Sequence, residues 1–142
     1  MRKTIMMAVA TMAGMAALVA PALAAEPITG RWVTAEKDAV VAIAPCGKSL
    51  CGRIEKFLIA PPGGNDQRDV NNPDAAKRSR KLLGMAILFG LTAAGDEWQG
   101  QVYDPKAGKT YTARVRRKPD GTLEMKGCLG PFCQAQVWKR AG

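Results

Sequence analysis

The 142-residue sequence contains no histidine. That absence removes Ser-His and Cys-His nucleophiles, imidazole metal ligands and the usual proton shuttle near neutral pH. Serine is scarce too: Ser49 and Ser79 are the only two, and neither has a base nearby in sequence, which sets a serine hydrolase aside. Acidic residues are outnumbered, 12 against 21 Lys+Arg, for a formal charge of +9. Aromatics make up only 6% of the chain, too few to interleave with its cations as a nucleic-acid surface, and no nucleic-acid partner is expected. No glycine-rich phosphate loop follows a strand and opens a helix, since Gly63-Gly64 after Pro61-Pro62 reads as a flexible turn. The length fits one domain and leaves no room for a two-domain nucleotide enzyme.

The first residues address the compartment. Met1-Arg2-Lys3 is a short basic start, Thr4 to Ala20 is an uncharged apolar run, and Ala22-Leu23-Ala24 is a small-x-small site ahead of Glu26. This order is that of a secretory signal peptide over 1–24, cleaved after Ala24. An uncleaved anchor is the alternative, but Pro21 breaks a helix where processing needs an extended site. The expected mature domain, 25–142, has 118 residues and, without Arg2 and Lys3, 19 basic against 12 acidic groups. It is expected to be periplasmic or secreted and, once processed, not membrane-spanning.

All four cysteines, Cys46, Cys51, Cys128 and Cys133, lie in that mature part, and in an oxidising space they read as two disulfides. Three pairings are open. The spacing C-x-x-x-x-C occurs twice around turn-type residues, which favours 46 with 51 and 128 with 133 across two hairpins. A zinc site is the competing reading, disfavoured by the spacing and the compartment.

Apolar and polar residues alternate most clearly in Thr110–Arg117, where Tyr111, Ala113 and Val115 take one side and Thr112, Arg114 and Arg116 the other. Trp98, Gly100 and Val102 repeat the pattern against Gln99, Gln101 and Tyr103, and Leu123 and Met125 against Thr122, Glu124 and Lys126. Asp104-Pro105-Lys106-Ala107-Gly108 and Pro119-Asp120-Gly121 are turns between them. Eight strands are predicted, over 30–35, 39–45, 50–59, 83–91, 97–103, 109–117, 122–128 and 133–140, with at most a short helical turn in 74–83. Parity puts the cysteine bridges outside, and Leu50, Ile54, Leu123, Met125, Gln134, Gln136 and Trp138 inside. Consecutive hairpins hide their edges most simply by closing. The reading is therefore an all-β, antiparallel, eight-stranded barrel. Closure would bring Gly30-Arg31-Trp32 near Trp138-Lys139-Arg140, with the Arg140 guanidinium over the Trp32 indole. Gly-x-Trp with a terminal Arg resembles the lipocalin-like (calycin-like) barrels.

The mature chain as a whole resembles the bacterial domain-of-unknown-function family 2147 of small exported proteins. The matching segments are Gly30-x-Trp32, Val41-x-Ile43-x-Pro45, Cys51-Gly52-x-Ile54, Asp69-x-Asn71-Asn72-Pro73-Asp74, Arg80-x-Leu82-x-Gly84, Tyr103-Asp104-Pro105-x-x-Gly108-Lys109-x-Tyr111, Gly127-Cys128-x-Gly130 and Trp138-x-Arg140. The resemblance implies a lipocalin-like envelope protein and no established activity, catalytic residue or cofactor.

The loop 60–82 is long for a β domain and rich in Asp and Asn, as lids and binding loops often are. It lacks the glycine and distal glutamate of a calcium loop, so turn and capping chemistry around Asn72, Pro73 and Asp74 is the plainer reading, with Asp69 or Asn72 contacting Arg80 or a ligand at a barrel mouth. Carboxylate chemistry would need Asp69 with Asp104, or Glu97 with Glu124, to meet. The leading expectation is a non-catalytic barrel without cofactor or metal, binding a small apolar or amphipathic ligand through Trp98, Tyr103, Tyr111, Met125, Gln134, Gln136, Asp69, Asn72 and Arg80. The alternative is an envelope interaction or structural protein with a filled core. It would meet anionic envelope components or a protein partner through Arg114, Arg116, Arg117, Lys118, Lys109 and Lys126.

Overall fold

The computed structural model describes residues 8–17 and 24–142; the basic start Met1-Arg2-Lys3 and the Ala22-Leu23 part of the cleavage motif lie outside the described residues. Among the described residues no helix is long and apolar enough to cross a membrane. The strands are β1 (Gly30–Val33), β2 (Ala39–Cys46), β3 (Ser49–Phe57), β4 (Ala86–Ala94), β5 (Glu97–Asp104), β6 (Lys109–Arg117), β7 (Leu123–Leu129) and β8 (Phe132–Arg140). Each pairs antiparallel with the next, and β1 returns to β8, so the sheet is the expected closed eight-stranded barrel.

Alternation builds the wall. On β6, Ala113 and Val115 are fully buried while Thr112, Arg114 and Arg116 face water. Turn chemistry joins the strands: the Asp104 carboxylate accepts from the Lys106 N–H at 2.9 Å, and the Gly108 N–H donates to the Asp104 carbonyl at 2.8 Å. Gly108 sits at φ 65°, and a Cβ there would overlap the Asn71 carbonyl, so this turn fits the long loop only as glycine.

One end of the barrel is packed solid. Ile28, Trp32, Leu88, Leu91, Val115 and Leu123 are fully buried there, each side chain contributing roughly 1.5–3 kcal/mol of burial. The chain ahead of β1 is drawn across this end by two indoles: Trp32 donates to the Ile28 carbonyl and Trp98 to the Glu26 carbonyl, both at 2.9 Å.

Closure rests on two rungs, Trp32 with Arg140 and Val33 with Lys139. The Arg140 guanidinium carbon lies 4.8 Å from the Trp32 ring centroid. Gly30 completes the arrangement: its φ is 140°, and a Cβ would come within 2.9 Å of Arg140 Nη1. Gly30, Trp32 and Arg140 are thus one device, in which the missing side chain makes room for the cation over the indole.

Several boundaries depart from the sequence reading. β1 stops at Val33, because the Thr34 hydroxyl bonds Asp38 at 2.6 Å and turns the chain. β4 begins at Ala86 instead of 83: Leu82 and Leu83 pack on the core from a turn, closed by Met85 N–H to Leu82 carbonyl at 3.0 Å, and not from a strand. It then runs on to Ala94 through a bulge at Gly90, φ 64°, where the register with β5 shifts. The helical turn inside 74–83 is a three-residue 3-10 turn, Ala75–Lys77, capped by Asp74; a second one, Gly64–Asp66, was not anticipated.

Disulfides join Cys46 to Cys51 and Cys128 to Cys133. The hairpins they clip have two-residue turns, Gly47-Lys48 and Gly130-Pro131, where the strand bounds expected from the sequence, 39–45 with 50–59 and 122–128 with 133–140, leave four residues between strands. Cys128 and Cys133 are direct cross-strand partners, 4.1 Å apart at Cα. Cys46 instead faces Ser49 and Cys51 faces Ala44, so that bridge is diagonal, at a Cα separation of 5.5 Å that the bond still spans.

Candidate functional site

The end opposite the packed one is hollow. A cavity of about 840 Å³ opens there, its walls supplied by Ile54, Phe57, Val102, Tyr111, Met125, Gln134 and Gln136, with Trp138 among the lining residues. Gly127 adds no side chain on β7, which leaves space beside Tyr111. Because β1 pairs with β8 at only two rungs, the opening continues along β8: Phe132 to Val137 are all exposed, and Thr34, Ala35 and Glu36 line the facing edge.

The rim is apolar. Ile59, Val70, Leu129 and Phe132 border the cavity and are 57–80% exposed. Large apolar side chains clustered in water mark a contact or binding surface more often than scattered ones do. Ion pairs brace the same rim: Lys106 in the β5–β6 turn holds Glu36 and, at 2.8 Å, Asp38 in the β1–β2 turn. Burial pushes the Asp38 carboxyl up, but Lys106 and the Thr34 hydroxyl outweigh it and hold its pKa below the ordinary value. Asn71 ties the long loop to the β5–β6 turn, donating to the Pro105 and Lys106 carbonyls at 3.2 Å each.

The long loop divides its work. Residues 59–62 and 67–71 contribute to the rim, whereas the stretch from Asn72 to Lys81 lies against the outer wall before Leu82 returns to the cavity. Between them sits Asp69, 1% exposed, whose carboxylate accepts from the Tyr103 hydroxyl at 2.6 Å and from the Asn72 amide at 2.8 Å, with Arg80 Nη2 at 3.7 Å. The Asp69 N–H donates to the Arg80 carbonyl at 2.9 Å, and Arg78 Nε donates to the Asn72 carbonyl at 2.7 Å. Burial, then the Asp69 carboxylate, pushes the Tyr103 hydroxyl up to about 12. This cluster clasps the loop to β5.

The expected ligand residues therefore fall into three places. Tyr111, Met125, Gln134 and Gln136 line the cavity together. Asp69, Asn72 and Arg80 do meet, but the Asp69 carboxylate is taken up by Tyr103 and Asn72, the Asn72 amide oxygen accepts from the Asp74 N–H at 2.9 Å, and Arg80 stands 3.7 Å from the carboxylate. Tyr103 borders the cavity yet turns its hydroxyl into the clasp, as the outward parity of Gln99, Gln101 and Tyr103 requires. Trp98 is not among the lining residues: it stands at the start of β5, at the packed end, with its indole N–H spent on Glu26. The carboxylates proposed as pairs are engaged separately. Asp104 caps its own turn, Glu97 meets Arg114 at 2.8 Å, and Glu124 lies 3.6 Å from Lys126.

Sequence reasoning did not find the rim. Its signals were present: Leu58-Ile59 beyond the end of β3, and Leu129 and Phe132 flanking Gly130-Pro131, are apolar where turns are normally polar. Among the described residues no group of three or more Asp, Glu or Cys is placed to hold a metal ion.

Among curated proteins none matches the sequence. Among solved structures, one titled "Protein HP1028 from the human pathogen Helicobacter pylori belongs to the lipocalin family" superposes with a TM-score of 0.71 at 24% identity, over 82% of this chain and 84% of that one. At that identity the likeness concerns the fold, which is lipocalin-like. The family described as "Uncharacterized protein conserved in bacteria (DUF2147)" matches residues 30–140, nearly the whole barrel from Gly30 to Arg140, and the chain belongs to that family.

Proposed function

We propose that this protein is an exported, non-catalytic carrier that takes a small apolar or amphipathic ligand into the barrel from its open end. The observation that carries the reading is the cavity of about 840 Å³ behind an apolar rim. Its size is that of small-molecule pockets, and its make-up, apolar walls with a few hydrogen-bonding groups, is what such pockets use to fix orientation. Tyr111, Gln134 and Gln136 would meet the polar part of the ligand; Phe57, Ile54 and Met125 the apolar part. The engagement of Asp69, Asp104, Glu97 and Glu124 in separate caps and ion pairs supports binding over carboxylate catalysis. The two disulfides support export. A filled barrel acting through the basic strip draws less support, since Arg114, Arg116 and Lys126 stand beside Glu97 and Glu124.

The test is occlusion. A Cβ at Gly127 would meet nothing closer than 3.6 Å, so Gly127→Leu projects a bulky side chain into the cavity beside Tyr111 and Val102 without backbone strain. A neutral apolar dye such as N-phenyl-1-naphthylamine should bind the parent with enhanced emission and lose that enhancement in Gly127→Leu, while the circular dichroism stays that of the barrel. Equal dye binding by both proteins refutes the cavity as the site. Native mass spectrometry of protein from its host envelope would then identify the resident ligand, and N-terminal sequencing of the same sample should begin at Ala25.

A further inference from the structure

A second cavity, of about 690 Å³, lies on the outside of the barrel, between residues 72–86 and the wall. It shares only Tyr103 with the interior one. Arg53, Lys77, Arg80 and Lys81 line it, against a single lining acid, Asp74. The commitments of these groups are uneven. Lys81 reaches Asp66 at 2.9 Å, and Arg80 stands 3.7 Å from the buried Asp69. Asp74 spends one oxygen on the Ala76 N–H. Arg53 gives one hydrogen bond, Nη1 to the Gly84 carbonyl at 3.2 Å, and Lys77 makes no ion pair among the described residues. The basic strip on β6 and β7 is different: there Arg114 meets Glu97 at 2.8 Å, and Arg116 and Lys126 flank Glu124. Lys109, Arg117 and Lys118 of the strip also make no ion pair among the described residues, but the cations of the outer cleft line one cavity together.

We infer that this outer cleft binds a phosphate group carried on an organic body. Two cations with uncommitted N–H groups, backed by two more, suit an anion of more than one charge and several acceptor oxygens; a single carboxylate would leave donors unused. Guanidinium forks such as those of Arg53 and Arg80 match phosphate oxygens in pairs. The lining also includes Leu83, Met85 and Phe89, apolar side chains that a bare ion has no use for and the body of a phosphate ester would cover. The same chemistry is offered by a phospholipid headgroup and by a soluble phosphate ester. The site is independent of the barrel ligand.

The experiment uses the whole protein with two probes and matched variants. Phenyl phosphate is titrated calorimetrically, and vesicles of phosphatidylcholine with or without phosphatidylglycerol are tested by flotation. Lys77→Glu reverses an exposed charge in the cleft, Arg53→Gln removes a second one, and Lys48→Glu makes the same charge change in the exposed β2–β3 turn, outside the cleft lining. Expected are a loss of about tenfold in affinity for each cleft variant, the scale of one charge-assisted hydrogen bond, and parental affinity for Lys48→Glu. Binding of phenyl phosphate alone assigns a soluble ester; binding of the anionic vesicles, lost in the cleft variants, assigns a headgroup. Equal weakening by Lys77→Glu and Lys48→Glu overturns the inference in favour of net charge, and so does binding of neither probe. Displacement of the apolar dye by phenyl phosphate also overturns it, by moving the anion into the barrel. Loss of dye binding in Gly127→Leu with phosphate binding intact separates the two sites.

Discussion

Tyr103→Phe tests the clasp that fixes the long loop. The change keeps the ring and its packing and removes one oxygen, the donor lying 2.6 Å from a carboxylate that is 1% exposed. A hydrogen bond to a charged group contributes about 1.5–3 kcal/mol, and a buried acceptor that loses its donor regains little from water. Asp69 keeps Asn72 at 2.8 Å, and Arg80 at 3.7 Å is beyond direct hydrogen bonding, so compensation is partial. The expected loss is about 2 kcal/mol, which for a domain of this size lowers Tm by roughly 6–12 °C. Urea unfolding followed by tryptophan emission measures it, and limited proteolysis should show earlier cleavage within 60–85. A pH arm makes the argument specific. The Tyr103 pKa is raised from 10 to about 12 in the folded protein, so its contribution is complete below pH 10 and is lost as pH rises through about 12. Parental stability should fall across that window more steeply than that of Tyr103→Phe. A variant within about 0.5 kcal/mol of the parent, with the same alkaline slope, would mean that Asp69 does not depend on Tyr103 and that the loop is held by other contacts.

Three further outcomes are expected. Arg140→Ala should lose about 0.5–2 kcal/mol and shift tryptophan emission, with Arg140→Lys recovering part of the loss, because an ammonium cannot lie flat over the Trp32 ring; unchanged stability and emission in Arg140→Ala would refute the cation-π seam. Reduction of the two disulfides should cost about 2 kcal/mol each by loop-closure entropy, since each encloses a short loop, and non-reducing peptide maps should show only 46–51 and 128–133 linkages. Asp38 has its pKa lowered by Lys106 and Thr34, so its contribution is present above the unfolded-state value and is lost as pH falls through the lowered one; Asp38→Asn should flatten that acid limb in urea titrations at pH 2–5.

The barrel was legible because its information is local. Period-two alternation on β6, the Asp-Pro and Asp-Gly turns, and the Gly30-x-Trp32 and Arg140 ends each point to the same closed sheet, and consistency between levels is what makes a fold readable. Errors came where a local signal had two meanings. Leu83 read as the start of a strand because buried apolar residues in turns and in strands look alike, and the predicted strand stopped at 91, just past Gly90, because a bulge glycine and a terminal glycine look alike. The candidate site was half legible. Parity placed Gln134, Gln136 and Met125 inside, yet it also turned Tyr103 outward, and only the path of the long loop across the wall explains why that residue is buried. The phosphate cleft depends on Arg53 meeting Lys77, Arg80 and Lys81 across a separation of 24–28 positions, which no spacing rule encodes.

The distribution of side-chain volume explains why this barrel is hollow at one end only. Eight strands enclose about enough room for packed side chains or for one small ligand, and which of these results depends on what points inward at each level. At the closed end Trp32, Leu88, Leu91 and Leu123 fill the section completely, and Gly52 is needed because a Cβ there would come within 2.9 Å of Leu88. Toward the mouth the inward positions include Ala39, Gly127 and the two glutamines of β8, residues too small or too polar to close the section between the larger side chains. A ligand should therefore rest with its apolar part against Phe57, Ile54 and Met125 and its polar part toward Gln134 and Gln136. The exposed run along β8 leaves that polar part within reach of water. On this geometry Gln136→Leu should tighten binding of a wholly apolar dye and weaken binding of an amphipathic one, and a change of the same sign for both would place the polar end of the ligand elsewhere.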